Sequence, residues 1–209
     1  MSKTRQTDHP IVGVVLAGGR SRRMGTEKAL ILLGGRPLLA HVVERLGPQV
    51  DALVVNANGD PARFAAFGIP VVADPVPDFA GPLAGVLAGM LWARANLPAA
   101  RLVATVATDT PFLPLDLVTR LVADSNGGRT IAIARSAGGL HRVIGVFPVT
   151  LAGDLNRFIK SPGSLKVADW LDRHEVGVVD FPTQPPIDPF LNINTPEDLA
   201  VAEAAATAR

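Results

Sequence analysis

Ile11-Val12-Gly13-Val14-Val15-Leu16-Ala17-Gly18-Gly19-Arg20-Ser21-Arg22-Arg23-Met24-Gly25-Thr26-Glu27-Lys28 sets the architecture of this chain. Residues 11–15 form an apolar run of strand length, as expected for a strand buried on both faces of a sheet. The paired glycines that follow strip side chains from the backbone, and Arg20, Arg22, Arg23 and Lys28 concentrate positive charge just behind them. Bare N–H groups beside cations suit a polyphosphate. The same residues also read as a surface turn with solvated arginines, because Gly-Gly is an ordinary turn signal. The remainder of the chain decides between the two.

The 209 residues are 48% hydrophobic and 19% charged, enough to bury a large core and too apolar for global disorder. Net charge is +1, so no overall field draws in nucleic acid or anionic membrane, and neither is expected as a partner. The chain has no cysteine, which excludes disulfides, thiolate metal sites and a cysteine nucleophile. Met1–Pro10 is polar, carries no apolar signal segment and reads as a flexible N-terminal tail. The longest apolar segment, Pro82–Ala93, is too short and glycine-rich to cross a bilayer. A cytoplasmic setting is expected.

Strand-like and helix-like segments alternate from the glycine stretch onward. Pro37–Leu46 has helical spacing with proline in the first turn, and Gly47-Pro48 ends it. Ala52–Val55 and Pro70–Ala73 read as strands flanking a short helix over Pro61–Phe67. Gly81, Gly85 and Gly89 recur every fourth residue in a helix running to about Ala95, leaving one helix face nearly bare for close packing on a sheet. Arg101–Ala107 is a fourth strand, and Leu115–Asp124 a helix. Such repeated β-α-β units predict a mostly parallel sheet with helices on both faces.

After residue 125 the rhythm changes. Thr130–Ala134 and Val143–Phe147 read as strands joined through Gly138-Gly139, a short hairpin-like excursion able to run antiparallel. Helices over Leu151–Ile159 and Ser164–Leu171 and a strand over Val176–Val179 follow. Pro182–Phe190, with its four prolines, is loop, and Thr195-Pro196-Glu197-Asp198 caps a closing alanine-rich helix. With no repeat or linker, residues 11–209 read as a single domain.

Ligands of open α/β sheets bind beyond the carboxyl ends of the strands. Gly18-Gly19, Asn56, Asp74 and Asp109 all fall at such ends. Any one of them could be a turn former or cap, but four at equivalent positions suggest a site. Asp109 can either hold Mg²⁺ beside phosphate oxygens or cap the helix that follows. Lys28 and Arg23 are placed to fold back onto bound phosphate. The chain lacks both G-x-x-x-x-G-K-[ST] and, after the first strand, G-x-G-x-x-G, which disfavours P-loop and NAD chemistry.

The run L-A-G-G-R-S-R-R-M-G-T-E-K resembles the L-A-[AG]-G-x-x-x-R-M-G-x-x-K signature of nucleotidyltransferases, and is most similar to the molybdenum cofactor guanylyltransferase family. Further marks of that family follow in order: Gly35-Arg36-Pro37-Leu38, Val55-Asn56-Ala57-Asn58, Asp74, Gly81-Pro82-Leu83-Ala84-Gly85, Asp109-Thr110-Pro111-Phe112 and Asn192-Ile193-Asn194-Thr195-Pro196-Glu197-Asp198-Leu199. The resemblance implies a three-layer, doubly wound, Rossmann-like nucleotidyltransferase fold. It also implies transfer of GMP from GTP to the phosphate of Mo-molybdopterin with release of pyrophosphate. Leu16, Ala17 and Gly18 would present backbone to the nucleotide and Lys28 would contact it. Asn56 and Asp74 would hold the guanosine end, and Asp109 would bind Mg²⁺ and GTP.

Related cytidylyl- and sugar-nucleotide enzymes more often carry L-A-A-G, so Gly18 points to guanine. Glu27 stands where the family has aspartate, His141-Arg142 replaces a His-Pro pair, and a later basic pair is reduced to Lys166. His141 reads as a turn histidine on the surface or as a substrate contact. The expected catalytic set is Arg23, Lys28 and Asp109, with GTP, Mo-molybdopterin, pterin-delivering proteins and molybdoenzymes as partners. The alternatives are a cytidylyl- or sugar-phosphate nucleotidyltransferase, or a catalytically silent nucleotide-binding partner of a molybdoenzyme.

Overall fold

The computed structural model describes residues 9–18, 28–76, 81–163, 165–182 and 187–207. Its elements in order are β1 (Ile11–Leu16), β2 (Leu32–Leu33), β3 (Arg36–Pro37), α1 (Leu38–Leu46), β4 (Ala52–Asn56), β5 (Val71–Val72), α2 (Pro82–Asn96), β6 (Leu102–Ala107) and α3 (Leu117–Ala123). The later half adds β7 (Ile131–Ser136), β8 (Gly139–Pro148), α4 (Ala152–Lys160), α5 (Val167–Leu171), β9 (Val176–Asp180) and α6 (Pro196–Thr207).

Seven strands form one sheet in the order β5-β4-β1-β6-β8-β7-β9. β1 is parallel to β4 and β6, β4 to β5, and β7 to β9, while β8 alone runs antiparallel to its neighbours β6 and β7. Every residue of β1 is buried, as a central strand with both faces covered requires. Its side chains alternate between two cores. Ile11 and Val15 join Leu39, Val42 and Leu46 of α1 and Val118 and Leu121 of α3, whereas Val12 and Val14 meet Val86, Leu87 and Met90 of α2. Leu155 and Ile159 of α4 and Trp170 of α5 extend the second core. The arrangement is the three-layer, doubly wound architecture expected from the alternating pattern.

The chain leaves β1 in one direction to β4 and β5, then returns through α2 to β6 on the other side of β1. The carboxyl end of β1 is therefore a topological switch point, where crossovers diverge and a crevice opens. The glycine spacing of α2 serves this end of the sheet. A Cβ on Gly89 would lie 2.4 Å from Val14 Cγ2, and one on Gly85 would lie 2.3 Å from Asn56 Oδ1 and 2.6 Å from Leu16 Cδ2.

Several expectations need adjustment. The hairpin expected across Gly138-Gly139 is present and antiparallel, but its second strand, β8, is ten residues long and set inside the sheet between β6 and β7. Pro61–Phe67 is a 3-10 helix, capped by Asp60 and ended by Gly68 at φ 62°. The helix expected from Leu115 starts at Leu117, and that expected from Ser164 starts at Val167. The β2–β3 hairpin was not expected, since two-residue strands leave no periodic pattern. It matters for function because α6 packs on it. Leu33 and Leu38 join Ile193, Ala202 and Ala205 in a third core, bringing the end of the chain to the start of the site. No helix among the described residues is long and apolar enough to cross a membrane.

Candidate active site

Two polar clusters stand along the carboxyl edge of the sheet. The first is built on the ends of β4 and β5. Asn56, 3% exposed, closes β4, and its Nδ2 donates to Val72 O at 3.2 Å and to Asp74 Oδ1 at 3.0 Å. Asn58 completes the arrangement. Its Nδ2 donates to Asp74 Oδ2 at 2.7 Å, and its Oδ1 accepts from Asp74 N at 2.8 Å. Both carboxylate oxygens of Asp74 are thus engaged, each with acceptor capacity to spare. Gly18, exposed at the end of β1, adjoins this cluster: a Cβ there would sit 3.7 Å from Asn56 Oδ1, an ordinary contact distance. Among the described residues nothing therefore requires glycine at position 18 on steric grounds.

The second cluster lies beyond β1 and β6. Asp109 follows β6 and Lys28 opens the chain after the glycine loop; Lys28 Nζ donates to Asp109 Oδ2 at 2.8 Å. Their side chains are 21% and 16% exposed, so the pair is sheltered yet still screened by water. Asp109 Oδ1 is buried and has no hydrogen-bond partner among the described residues. Such an orphaned carboxylate oxygen is costly unless something else completes it. Lys28 also donates to Asn194 Oδ1. The backbone carbonyl of Asp109 accepts from Ile193 N at 2.9 Å, holding the 193–194 segment against the strand end. Asp109 does not cap α3; that position belongs to Asp116.

Leu16 and Ala17 tie the clusters together. The carbonyl of Leu16 accepts from Thr108 N and from Thr108 Oγ1, both at 3.2 Å, and Ala17 N donates to Asn56 O at 2.9 Å. These groups extend the sheet and are spent inside it, so of Leu16, Ala17 and Gly18 it is Gly18 that faces outward. Arg23, with the rest of Gly19–Glu27, lies outside the described residues.

Further along the same edge, His141 departs from the surface-turn expectation. It is half-buried, hydrogen-bonded through Nε2 to Ser136 Oγ at 2.7 Å, and its ring lies 4.6 Å from that of Phe190. Ser136 Oγ accepts from Gly138 N at 3.2 Å, leaving its hydroxyl proton for a neutral imidazole. Burial pushes the His141 pKa below its ordinary value, with Asp188 acting weakly in the opposite sense.

The structure brings Asn56 and Asp74 together as one group and Lys28 and Asp109 as another. Asn58 and Asn194 belong to the same clusters although sequence reasoning did not single them out. Asn58 repeats Asn56 two residues on, a usable signal; Asn194 reaches Lys28 across 166 residues, which no local pattern reports.

Comparison with known proteins agrees with this geometry. The model of the MobA-like NTP transferase domain matches residues 13–177. The molybdenum cofactor guanylyltransferase of Bradyrhizobium sp. (strain ORS 278) is 51% identical over 205 residues, 97% of this chain and 96% of that protein. The enzyme of that name from Rhizobium meliloti (strain 1021) is 47% identical over 195 residues, 91% of this chain and 89% of that one. Among solved structures, molybdopterin-guanine dinucleotide biosynthesis protein A from Archaeoglobus fulgidus superposes with a TM-score of 0.73 at 24% identity, covering 95% of this chain and 100% of that one. A nucleotidyl transferase from Methanothermobacter thermautotrophicus gives 0.71 at 21% identity, with 96% and 99% covered, so these two likenesses carry the fold alone. With that family model spanning most of its length and near-full-length relatives at about half identity, this chain belongs to the MobA-like NTP transferases.

Proposed function

We propose that this chain is a molybdenum cofactor guanylyltransferase, transferring GMP from GTP to the terminal phosphate of Mo-molybdopterin. An oxygen of that phosphate attacks the α-phosphorus of GTP, the α–β phosphoanhydride bond breaks, and pyrophosphate leaves. The names of the full-length relatives support the substrates. The observation that carries the reading is Asp109, with one oxygen held by Lys28 and the other buried without a partner among the described residues.

That orphaned oxygen fits Mg²⁺, which takes one or two protein carboxylates and fills its remaining positions with water and phosphate oxygens. When bound at Asp109, Mg²⁺ would neutralise charge on the phosphate oxygens. Lys28 supplies a compact positive charge on the same side and stabilises charge growing on the leaving pyrophosphate. Arg23, from the basic stretch after Gly18-Gly19, would add to it. Since the attacking phosphate is already ionised near neutral pH, the chain needs no strong general base, in keeping with its lack of cysteine and its few histidines.

The Asn56–Asp74–Asn58 group suits the guanosine end, because guanine and ribose both present donors that a carboxylate with spare lone pairs accepts. Gly18 supports guanine over cytosine: no described residue requires glycine there, so a bare backbone is better explained by the ligand. We take the chain from Ile11 onward as one domain working in the cytoplasm, receiving its pterin from a delivering protein and passing its product to molybdoenzymes.

The test is incubation with Mg²⁺, Mo-molybdopterin and each labelled nucleoside triphosphate in turn. GMP incorporation with stoichiometric pyrophosphate is expected. Preferential CMP incorporation overturns the guanine assignment, and no incorporation from any nucleotide favours a silent binding partner.

A further inference from the structure

The hydrogen bonds at the start of α6 go beyond what a helix cap needs. Asp198 Oδ2 accepts from Thr195 N at 2.9 Å, while Asp198 N donates to Thr195 Oγ1 at 3.2 Å, the reciprocal pair of a capping box. The same Asp198 oxygen also accepts from Asn194 N at 2.9 Å. That extra bond fixes the backbone of a residue lying before the helix. Asn194 is the residue whose amide oxygen receives Lys28 Nζ. On its other side, Ile193 N is pinned to Asp109 O at 2.9 Å. Asn194 is thus clamped from both directions, with its side chain on the lysine.

Charge points the same way. Lys28 approaches the N-terminal end of a twelve-residue helix, where the partial positive charge of the free N–H groups repels a cation. Asp198 and Glu197 in the first turn offset this. Asn194 N–H is the main influence holding the Asp198 carboxyl below its usual range, and the Lys28 charge acts in the same direction.

We propose that Asp198 is a positioning residue for Lys28, acting through Asn194, so that the cap of α6 sets where the ammonium meets the nucleotide phosphates. The inference rests on the assignment of Lys28 to phosphate given above. It makes the distant end of the chain part of the triphosphate site without touching substrate.

The experiment is a double-mutant cycle on the full chain, reading Kd for Mg-GTP and for GMP by calorimetry alongside kcat and KM. Asp198→Ala is expected to weaken Mg-GTP about tenfold, within the range of couplings between contacting residues. GMP binding, which does not depend on the outer phosphates, should hold. In a Lys28→Met background the same substitution should change Mg-GTP binding less than about twofold. Asp198→Glu, which restores the commoner capping box, should return affinity to that of the unmodified chain. If Asp198→Ala does not fold, Asp198→Asn is run through the same cycle, with a smaller loss and the same dependence on Lys28. Equal weakening in both backgrounds reduces Asp198 to a helix cap and overturns the proposal. Unchanged Mg-GTP binding in Lys28→Met alone overturns the phosphate assignment beneath it.

Discussion

The two clusters on the sheet edge are built differently. Around Asp74 both carboxylate oxygens, the backbone N–H and the amides of Asn56 and Asn58 are all engaged. Around Asp109 one oxygen is buried with no partner among the described residues, and the other is held by Lys28. A mutually hydrogen-bonded network holds its members in place, and the spare lone pairs of Asp74 stay open to a donor. An incomplete one stays open to a ligand. On the function proposed above, the base end of the site is preorganised and the phosphate end is completed by what binds there.

This contrast is most easily broken at Asp109. Asp109→Asn should lower kcat by about a hundred- to a thousandfold, the scale seen when a preorganised electrostatic group is lost from a transition state. The fold should persist, since asparagine keeps the shape of the side chain and can still accept from Lys28 through its amide oxygen. Initial rates of pyrophosphate release and a thermal melt check both halves. A large fall in Tm with a small fall in rate would make Asp109 structural.

Gly85 tests the rigid end. A methyl group there would drive into Asn56 Oδ1 and Leu16, so Gly85→Ala should destabilise the fold by about 1–3 kcal/mol, as overpacking generally does. It should also raise KM for GTP more than it lowers kcat, because Asn56 would lose its hold on Asp74. Urea denaturation and steady-state kinetics separate the two effects. Gly18→Ala offers the control: with an ordinary contact at 3.7 Å as its one close approach among the described residues, it should leave stability unchanged and shift the preference among nucleotides.

Much of this site was legible in the amino-acid order because its residues sit at strand ends. The apolar run ending at Leu16 and those ending near Asn56 and Ala107 announce buried parallel strands, and the residues just after them fall at one edge by topology alone. The Gly81-Gly85-Gly89 spacing likewise announces close packing, with Gly85 and Gly89 both meeting β1. What stayed hidden depends on long-range pairing. No local pattern says that β8 inserts between β6 and β7, or that α6 folds over a hairpin of two-residue strands. Asn194 and Phe190 become partners of Lys28 and His141 only through that packing.

His141 gives the smallest and most specific effect, and it resembles the satisfied cluster. Its half-buried imidazole binds protons less readily folded than unfolded. Stability from this residue is therefore present above its ordinary pKa of about 6.5 and declines as pH falls through that value, because the unfolded chain takes up the proton first. Unfolding midpoints compared between the unmodified chain and His141→Gln from pH 8 to pH 5.5 should converge as pH falls. A pH-independent difference would leave burial of His141 without thermodynamic consequence.

The division of labour between the clusters is tested most directly by separate titrations of GMP and of magnesium pyrophosphate into the unmodified chain, Asp74→Asn and Lys28→Met. A crossed pattern is expected: Asp74→Asn weakens GMP and spares pyrophosphate, while Lys28→Met weakens pyrophosphate and largely spares GMP. If both substitutions weaken both ligands alike, or the pattern is reversed, the clusters do not form the base end and the phosphate end of one nucleotide site.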